Sequence, residues 1–276
     1  MNEKLPYRYD AASDIGCQRK NNEDNCGFHV SETHDVLMFV ADGMGGHNSG
    51  EVASAIAAEF MSQAASRLAE MMKRDNFEEH AHDEEILTLL EDSVQQANDA
   101  IIERGSEDEN CHNMGTTLTA MVIHNGKAYF GHVGDSRAYL VRKGRLRQLT
   151  NDHSFVAEQL RLGLISRQEA EDSPHKNVLT RALGVTDIVK VDLFREQLCD
   201  GDLLLLCSDG LTNPVTDEEI LDIVLDSGDP SSCCGNLIAR ALENGAPDNV
   251  SVAVFNMLSL TLLQRLVRWI KIKVMG

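Results

Sequence analysis

Residues 116–143 read TTLTAMVIHNGKAYFGHVGDSRAYLVRK and contain three short runs rich in β-branched and aromatic residues: TTLTAMVI (116–123), KAYFGHV (127–133) and RAYLVRK (137–143). Asn-Gly at 125–126 and Gly-Asp-Ser at 134–136 punctuate them, and such pairs supply the turns that close antiparallel hairpins. Three successive antiparallel strands are the expectation. Outward from this block, LLLLCS (203–208) and VSVAVF (250–255) read as further strands. The segments 50–74, 84–104, 217–227 and 232–245 carry apolar residues at helical spacing. Residues 153–183 are polar and helical in composition, an insertion between strands. Strand clusters with helices before, within and between them predict an α+β layered domain.

Composition narrows the partners. The chain has 276 residues and a net charge of −19, from 44 acidic against 25 basic side chains. That balance argues against nucleic acid, whose phosphates need clustered Lys and Arg, and is compatible with divalent cations. Seven cysteines stand at 17, 26, 111, 199, 207, 233 and 234 without a CxxC or zinc spacing, so reduced thiols and a cytoplasmic location are expected. The start MNEKLPYRYD has no apolar signal core. In the acidic connector DNFEEHAHDEE (75–85), His80 and His82 fit either a solvated loop or a metal pair.

The last stretch, MLSLTLLQRLVRWIKIKVMG (257–276), has four basic residues and no acidic one. Leu262, Leu263, Leu266, Trp269 and Ile270 can share one helical face, with Arg265, Arg268 and Lys271 turned away. Its charges make a poor transmembrane span. It suits an interfacial amphipathic helix or docking on the protein's own surface.

Aspartates recur at strand ends. Asp42 ends VLMFVADG, Asp209 ends LLLLCSDG, and Asp248 begins APDNVSVAVF. If that last strand runs antiparallel to the others, three carboxylates converge at one edge. Asp135 in FGHVGDSR is a fourth, and Glu23 and Asp24 in QRKNNEDN (18–25) add two more acids. A carboxylate at the mouth of a core strand is costly to desolvate unless something positive meets it. Six at one rim would raise each other's pKa values, a cost that hard divalent cations with oxygen ligands relieve. All-oxygen ligation favours Mg or Mn over Zn. A single Asp-Gly such as 42–43 is equally a tight turn.

The motifs QRKNNED (18–24), ADGMGGH (41–47), GTT (115–117), GDSR (134–137), CSDGL (207–211) and APDNVS (246–251) stand in a fixed order. In that order the chain resembles metal-dependent protein phosphatases of the PPM, or type 2C, family, and within it the compact bacterial members that counter Ser/Thr protein kinases. The resemblance covers about residues 8–256. It implies a four-layer αββα sandwich, with two antiparallel sheets face to face and helices on both outer sides. The phosphatase domain would span 1–256, with a flap insertion at about 154–178 and the basic tail at 257–276.

The resemblance also implies roles. Asp42 would bridge two Mn2+ or Mg2+ ions, and the Gly43 carbonyl would ligate one of them. Asp209 and Asp248 would hold the other. Glu23 and Asp24 would act through metal-bound waters, and Asp135, with Asp209, would hold a third, weaker ion. Arg19 would grip the substrate phosphate with its planar charged fork. A metal-bridging hydroxide would attack phosphorus in line, so no covalent enzyme intermediate is needed. Eukaryotic relatives place a His directly after the Asp-Gly pair; here Met44 stands there, and His47 is the candidate general acid beside metal-bound water. The implied activity is a protein Ser/Thr phosphatase acting as a monomer on phosphorylated proteins, opposing a Ser/Thr kinase. It would be cytoplasmic, with peripheral contact to the inner membrane face or a protein through 257–276. A phosphatase-like regulator without turnover is the alternative, although every metal-site aspartate is present.

Overall fold

The computed structural model describes residues 7–45, 49–73 and 79–258. His47 and the tail from residue 259 onward lie outside them. Two antiparallel sheets form the centre. One carries β1 (Tyr7–Asp14), β11 (Val250–Met257), β10 (Leu203–Cys207), β7 (Arg137–Arg142) and β8 (Arg145–Gln148), in that spatial order. The other carries β2 (Asp24–Val30), β3 (Val36–Met44), β5 (Leu118–His124), β6 (Lys127–Val133) and β9 (Asp192–Gln197), with the short β4 (Gly115–Thr116) beside β3.

Strand alternation sorts side chains between two environments. In β3, Val36, Met38 and Val40 point between the sheets, where they meet Phe130, Leu204, Leu206 and Phe255. Leu37, Phe39 and Ala41 point outward to α1 (Ser49–Met72) and α2 (Glu79–Glu107). Across the molecule, Leu203, Leu205, Val252 and Val254 face α6 (Asp217–Asp226) and α7 (Pro230–Glu243). Strands buried on both faces read as continuous apolar runs, which is why LLLLC shows no alternation. The four layers are therefore helix, sheet, sheet, helix. The expected sandwich is the observed one.

Three local readings need correction. Residues 134–136 do not close a hairpin: β6 pairs with β5 and β9, whereas β7 pairs with β10 and β8, so the turn carries the chain from one sheet to the other. Turn chemistry at Gly-Asp-Ser is the same for both outcomes, and long-range pairing decides. Helix α2 starts at Glu79 rather than 84, so His82 lies on a helix rather than in a connector. Within its first turns Asp83, 2% exposed, accepts from Lys127 Nζ at 3.0 Å, Arg195 Nη1 at 2.6 Å and the Tyr129 hydroxyl, which fixes the start of α2 against the sheet. Helix α7 starts at Pro230, two residues early, because Asp229 caps the amides of Ser231 and Ser232 and proline suits the first turn.

Register brings the chemistry to one end. Asp24 pairs with Asp42 across β2 and β3. Strand β10 ends just before Asp209, and β11 runs antiparallel to it, so Asp248 lies beside that end.

Candidate active site

Asp42 is held by its backbone. Its N–H donates to Thr117 Oγ1 at 2.9 Å, and its carbonyl accepts from the Thr117 amide and the Thr116 hydroxyl, both at 2.9 Å. The two threonines thus serve backbone, as their position at a strand break favours. With its main-chain groups satisfied, the Asp42 carboxyl is left to the pocket. Gly43 follows because nothing larger fits: a Cβ there would lie 2.1 Å from the Gly50 carbonyl oxygen at the start of α1 and 2.4 Å from that of Glu23.

Asp209 opens α5 (Asp209–Thr212) and accepts from Asn213 Nδ2 at 3.0 Å. Asp248 accepts from Arg19 Nη2 at 2.7 Å and from the Asn249 amide at 2.8 Å. Asn249, 3% exposed, binds the site segments together. Its Nδ2 donates to the carbonyls of Ile15 and Asn21, and its Oδ1 accepts from the Glu23 amide at 2.8 Å.

Glu23, Asp42, Asp135, Asp209 and Asp248 line one open pocket of about 230 Å³, together with Arg19, Gly43, Met44 and Gly45. Asn177 and Leu179 from the insertion close another side. Asp24 does not reach the pocket. It lies 8% exposed and accepts from the Ser208 hydroxyl at 2.8 Å. Sequence reasoning singled out no role in the site for Asn177, Leu179, Ser208 or Asn249; Ser208, inside CSDGL, Asn249, inside APDNVS, and Asn177, inside the flap, each carried a signal in the chain.

Electrostatics follow from the crowding. Burial first, then repulsion from Asp24, Asp209, Asp135 and Asp248, pushes the Asp42 carboxyl well above its ordinary range. Asp24 is pushed up to about 7 by burial and by Asp209 and Asp248, against the Ser251 and Ser208 hydrogen bonds. Asp135 reaches about 7 through burial, Asp209 and Asp152. Burial and Asp248 raise Asp209, while contact with Asp42 and Asn213 opposes the shift. Glu23 is raised mainly by burial, with Arg19 pulling it down. Cys207, beside this rim, is fully buried with its thiol pushed up to about 12, a core residue rather than a nucleophile.

Ringed acids with depressed acidity and one half-exposed arginine are a site short of positive charge. Oxygen donors alone fit hard cations such as Mg2+ or Mn2+. The carboxylates surround the pocket without closing into a cage. Among the described residues, no group of three or more His, Cys, Asp or Glu stands close enough to hold an ion by itself, so waters would complete any ligation. That also leaves His82 without a metal cluster among the described residues; its ring lies 5.7 Å from that of His124.

Behind the pocket wall, Arg137 forms a two-point ion pair with Asp152, Nη2 to Oδ2 at 2.7 Å and Nε to Oδ1 at 3.0 Å. Two buried imidazoles, His132 and His153, lie 4.6 Å apart between centroids. Burial and the neighbouring ring push His132 down to about 3, and burial lowers His153 despite its contact with Asp192.

Residues 17–234 match the family profile described as Protein phosphatase 2C. The chain is 40% identical over 240 residues to the serine/threonine phosphatase stp of Listeria welshimeri, covering 87% of this chain and 92% of that protein. It superposes on the S. agalactiae serine/threonine phosphatase with a TM-score of 0.82 at 32% identity, covering 92% of this chain and all of the other. The catalytic domain of the serine/threonine protein phosphatase PstP, solved with two manganese ions, superposes with a TM-score of 0.78 at 34% identity, covering 92% and 99%.

Proposed function

The chain belongs to the protein phosphatase 2C family and is a protein-serine/threonine phosphatase, and from that premise we propose how its pocket works. Asp42, the Gly43 carbonyl, Asp209 and Asp248 would hold two divalent cations, Mn2+ or Mg2+. Asp135 and Asp209 would hold a third, weaker one, with Glu23 and Asp24 acting through waters. The ions, when bound, supply an activated water nucleophile near neutral pH and positive charge for the phosphoryl oxygens.

The protein's own groups do the rest. Arg19, anchored on Asp248 yet half exposed, presents a guanidinium at the pocket mouth for two phosphate oxygens. Thr116, Thr117 and Asn249 fix the strand ends, so the carboxylates are placed before substrate arrives. Asn177 and Leu179 wall the cleft where the peptide flanking a phosphoserine or phosphothreonine would pass. The substrates would be phosphoproteins modified by a Ser/Thr kinase that this enzyme opposes. No helix among the described residues is long and apolar enough to cross a membrane. We place the enzyme in the cytoplasm as a monomer, with the basic 257–276 segment providing peripheral contact to a membrane or a protein.

The observation that carries this reading is the meeting of five acidic side chains from five separate segments in one pocket. The test is hydrolysis of a phosphothreonine peptide with Mn2+, with chelator, and by Asp209→Ala. Activity confined to the unmodified protein with Mn2+ supports it. Turnover that persists in chelator, or none with Mn2+ across several peptides, overturns it.

A further inference from the structure

We infer that His153 is a positioning residue that sets the Asp135 turn against the pocket and ties that turn to the flap. The inference rests on the proposed role of Asp135 as ligand of the weakly held ion. Gly134, immediately before Asp135, has φ +113°, and a Cβ there would fall 2.5 Å from Thr117 Cβ. The turn is thus pressed on the same threonine that binds the Asp42 amide.

His153 completes the hold on Gly134 from the other side. Its amide donates to the Gly134 carbonyl at 2.8 Å, and its Nδ1 accepts from the Gly134 amide at 3.0 Å. An accepting Nδ1 puts the ring proton on Nε2, which lies 3.1 Å from Asp192 Oδ2 as its donor. Asp192 Oδ1 in turn accepts from Arg181 Nη1 at 2.7 Å.

The backbone of the same residue carries the flap. The His153 carbonyl accepts from the Thr180 amide at 2.8 Å, Phe155 N–H donates to Val178 O at 2.8 Å, and Ser154 bridges Leu179. Leu179 lines the same pocket as the carboxylates. One residue, 1% exposed, therefore joins two walls of the pocket: its ring holds the Asp135 turn against β9, and its carbonyl holds the returning end of the flap. A histidine filling space alone would not need both ring nitrogens matched to the turn and to β9.

The experiment compares His153→Ala, His153→Asn, His153→Gln and Asp192→Ala, following hydrolysis of an aryl phosphate and calorimetric binding against Mn2+ concentration. Asparagine reproduces the Nδ1 acceptor for Gly134, and glutamine reproduces only the Nε2 side. The alanine and glutamine variants should need roughly tenfold more Mn2+ for half-maximal activity and lose the weakest binding step, the two tighter steps remaining. His153→Asn should restore the Mn2+ requirement to within about threefold. Asp192→Ala, at the half-buried rim, should shift it in the same direction and covers the case in which His153→Ala fails to fold. An unchanged Mn2+ requirement in folded His153→Ala or Asp192→Ala, or no rescue by asparagine, overturns the inference. Loss of Mn2+ dependence in the unmodified protein, or no effect of Asp135→Asn, would instead defeat the reading on which it rests.

Discussion

Replacing Asp24 by Asn in the metal-free protein should make it more stable, and the gain should grow with pH. Asp24 has an ordinary value of 3.8 and is raised to about 7 in the fold, chiefly by burial. A raised carboxyl contributes its stability in full below 3.8 and loses it as the pH climbs through about 7. Each pH unit within that window costs about 1.4 kcal/mol, so moving from about pH 5 to about pH 8 removes roughly 3 kcal/mol from the unmodified protein. Asn keeps an oxygen for the Ser208 hydroxyl and never ionises. His132 and His153, both shifted down by burial, titrate the opposite way but are present in both proteins and cancel in the comparison. Melting curves in chelator should therefore agree only at about pH 3.8 and below, and the variant's lead should grow by roughly a further 5–12 °C between about pH 5 and about pH 8. Saturating Mn2+ should erase that lead, since a cation stabilises the ionised site by mass action. A difference in melting temperature that stays flat from pH 5 to pH 8 would refute the electrostatic reasoning.

Asp209→Asn should lose about 10²–10³-fold in turnover on a phosphothreonine peptide at saturating Mn2+ while melting no lower than the unmodified protein in chelator, because the exchange removes a repelling carboxylate. Arg19→Ala should raise KM for the same peptide by about tenfold with a smaller change in kcat, and steady-state kinetics showing the reverse split would remove Arg19 from phosphate binding. Gly43→Ala should lower stability by about 2–4 kcal/mol in urea titration, since its Cβ would sit 2.1 Å from a backbone oxygen that cannot swing away; an unchanged midpoint would contradict the close approach.

The strand ends were legible because their apolar runs stop at Asp42 and Asp209, a local signal that needs no partner. The convergence of Asp248 was legible as a condition, that its strand run antiparallel, and the pairing of β10 with β11 meets it. What stayed hidden was set by contacts between distant segments. The Gly134–Ser136 turn has the composition of a hairpin, yet β7 finds its partners in β10 and β8. Strand β1 is defined by pairing with β11 at the other end of the sequence, Tyr7 against Met257. Asp24 and Glu23 are neighbours in the chain, but Glu23, just before β2, lines the pocket while Asp24, the first residue of β2, lies under Ser208. Asn177 and Leu179 look like surface residues of a polar insertion, and it is the pairing of residues 153–155 with 178–180 that carries them to the cleft.

Anomalous diffraction from a crystal soaked in Mn2+ tests most directly whether the crowded carboxylates exist to hold cations. Two strong peaks in the pocket, within ligation distance of Asp42, Asp209 and Asp248, are the predicted result. A pocket with no manganese peak in a crystal that diffracts well and is soaked at saturating metal would contradict it.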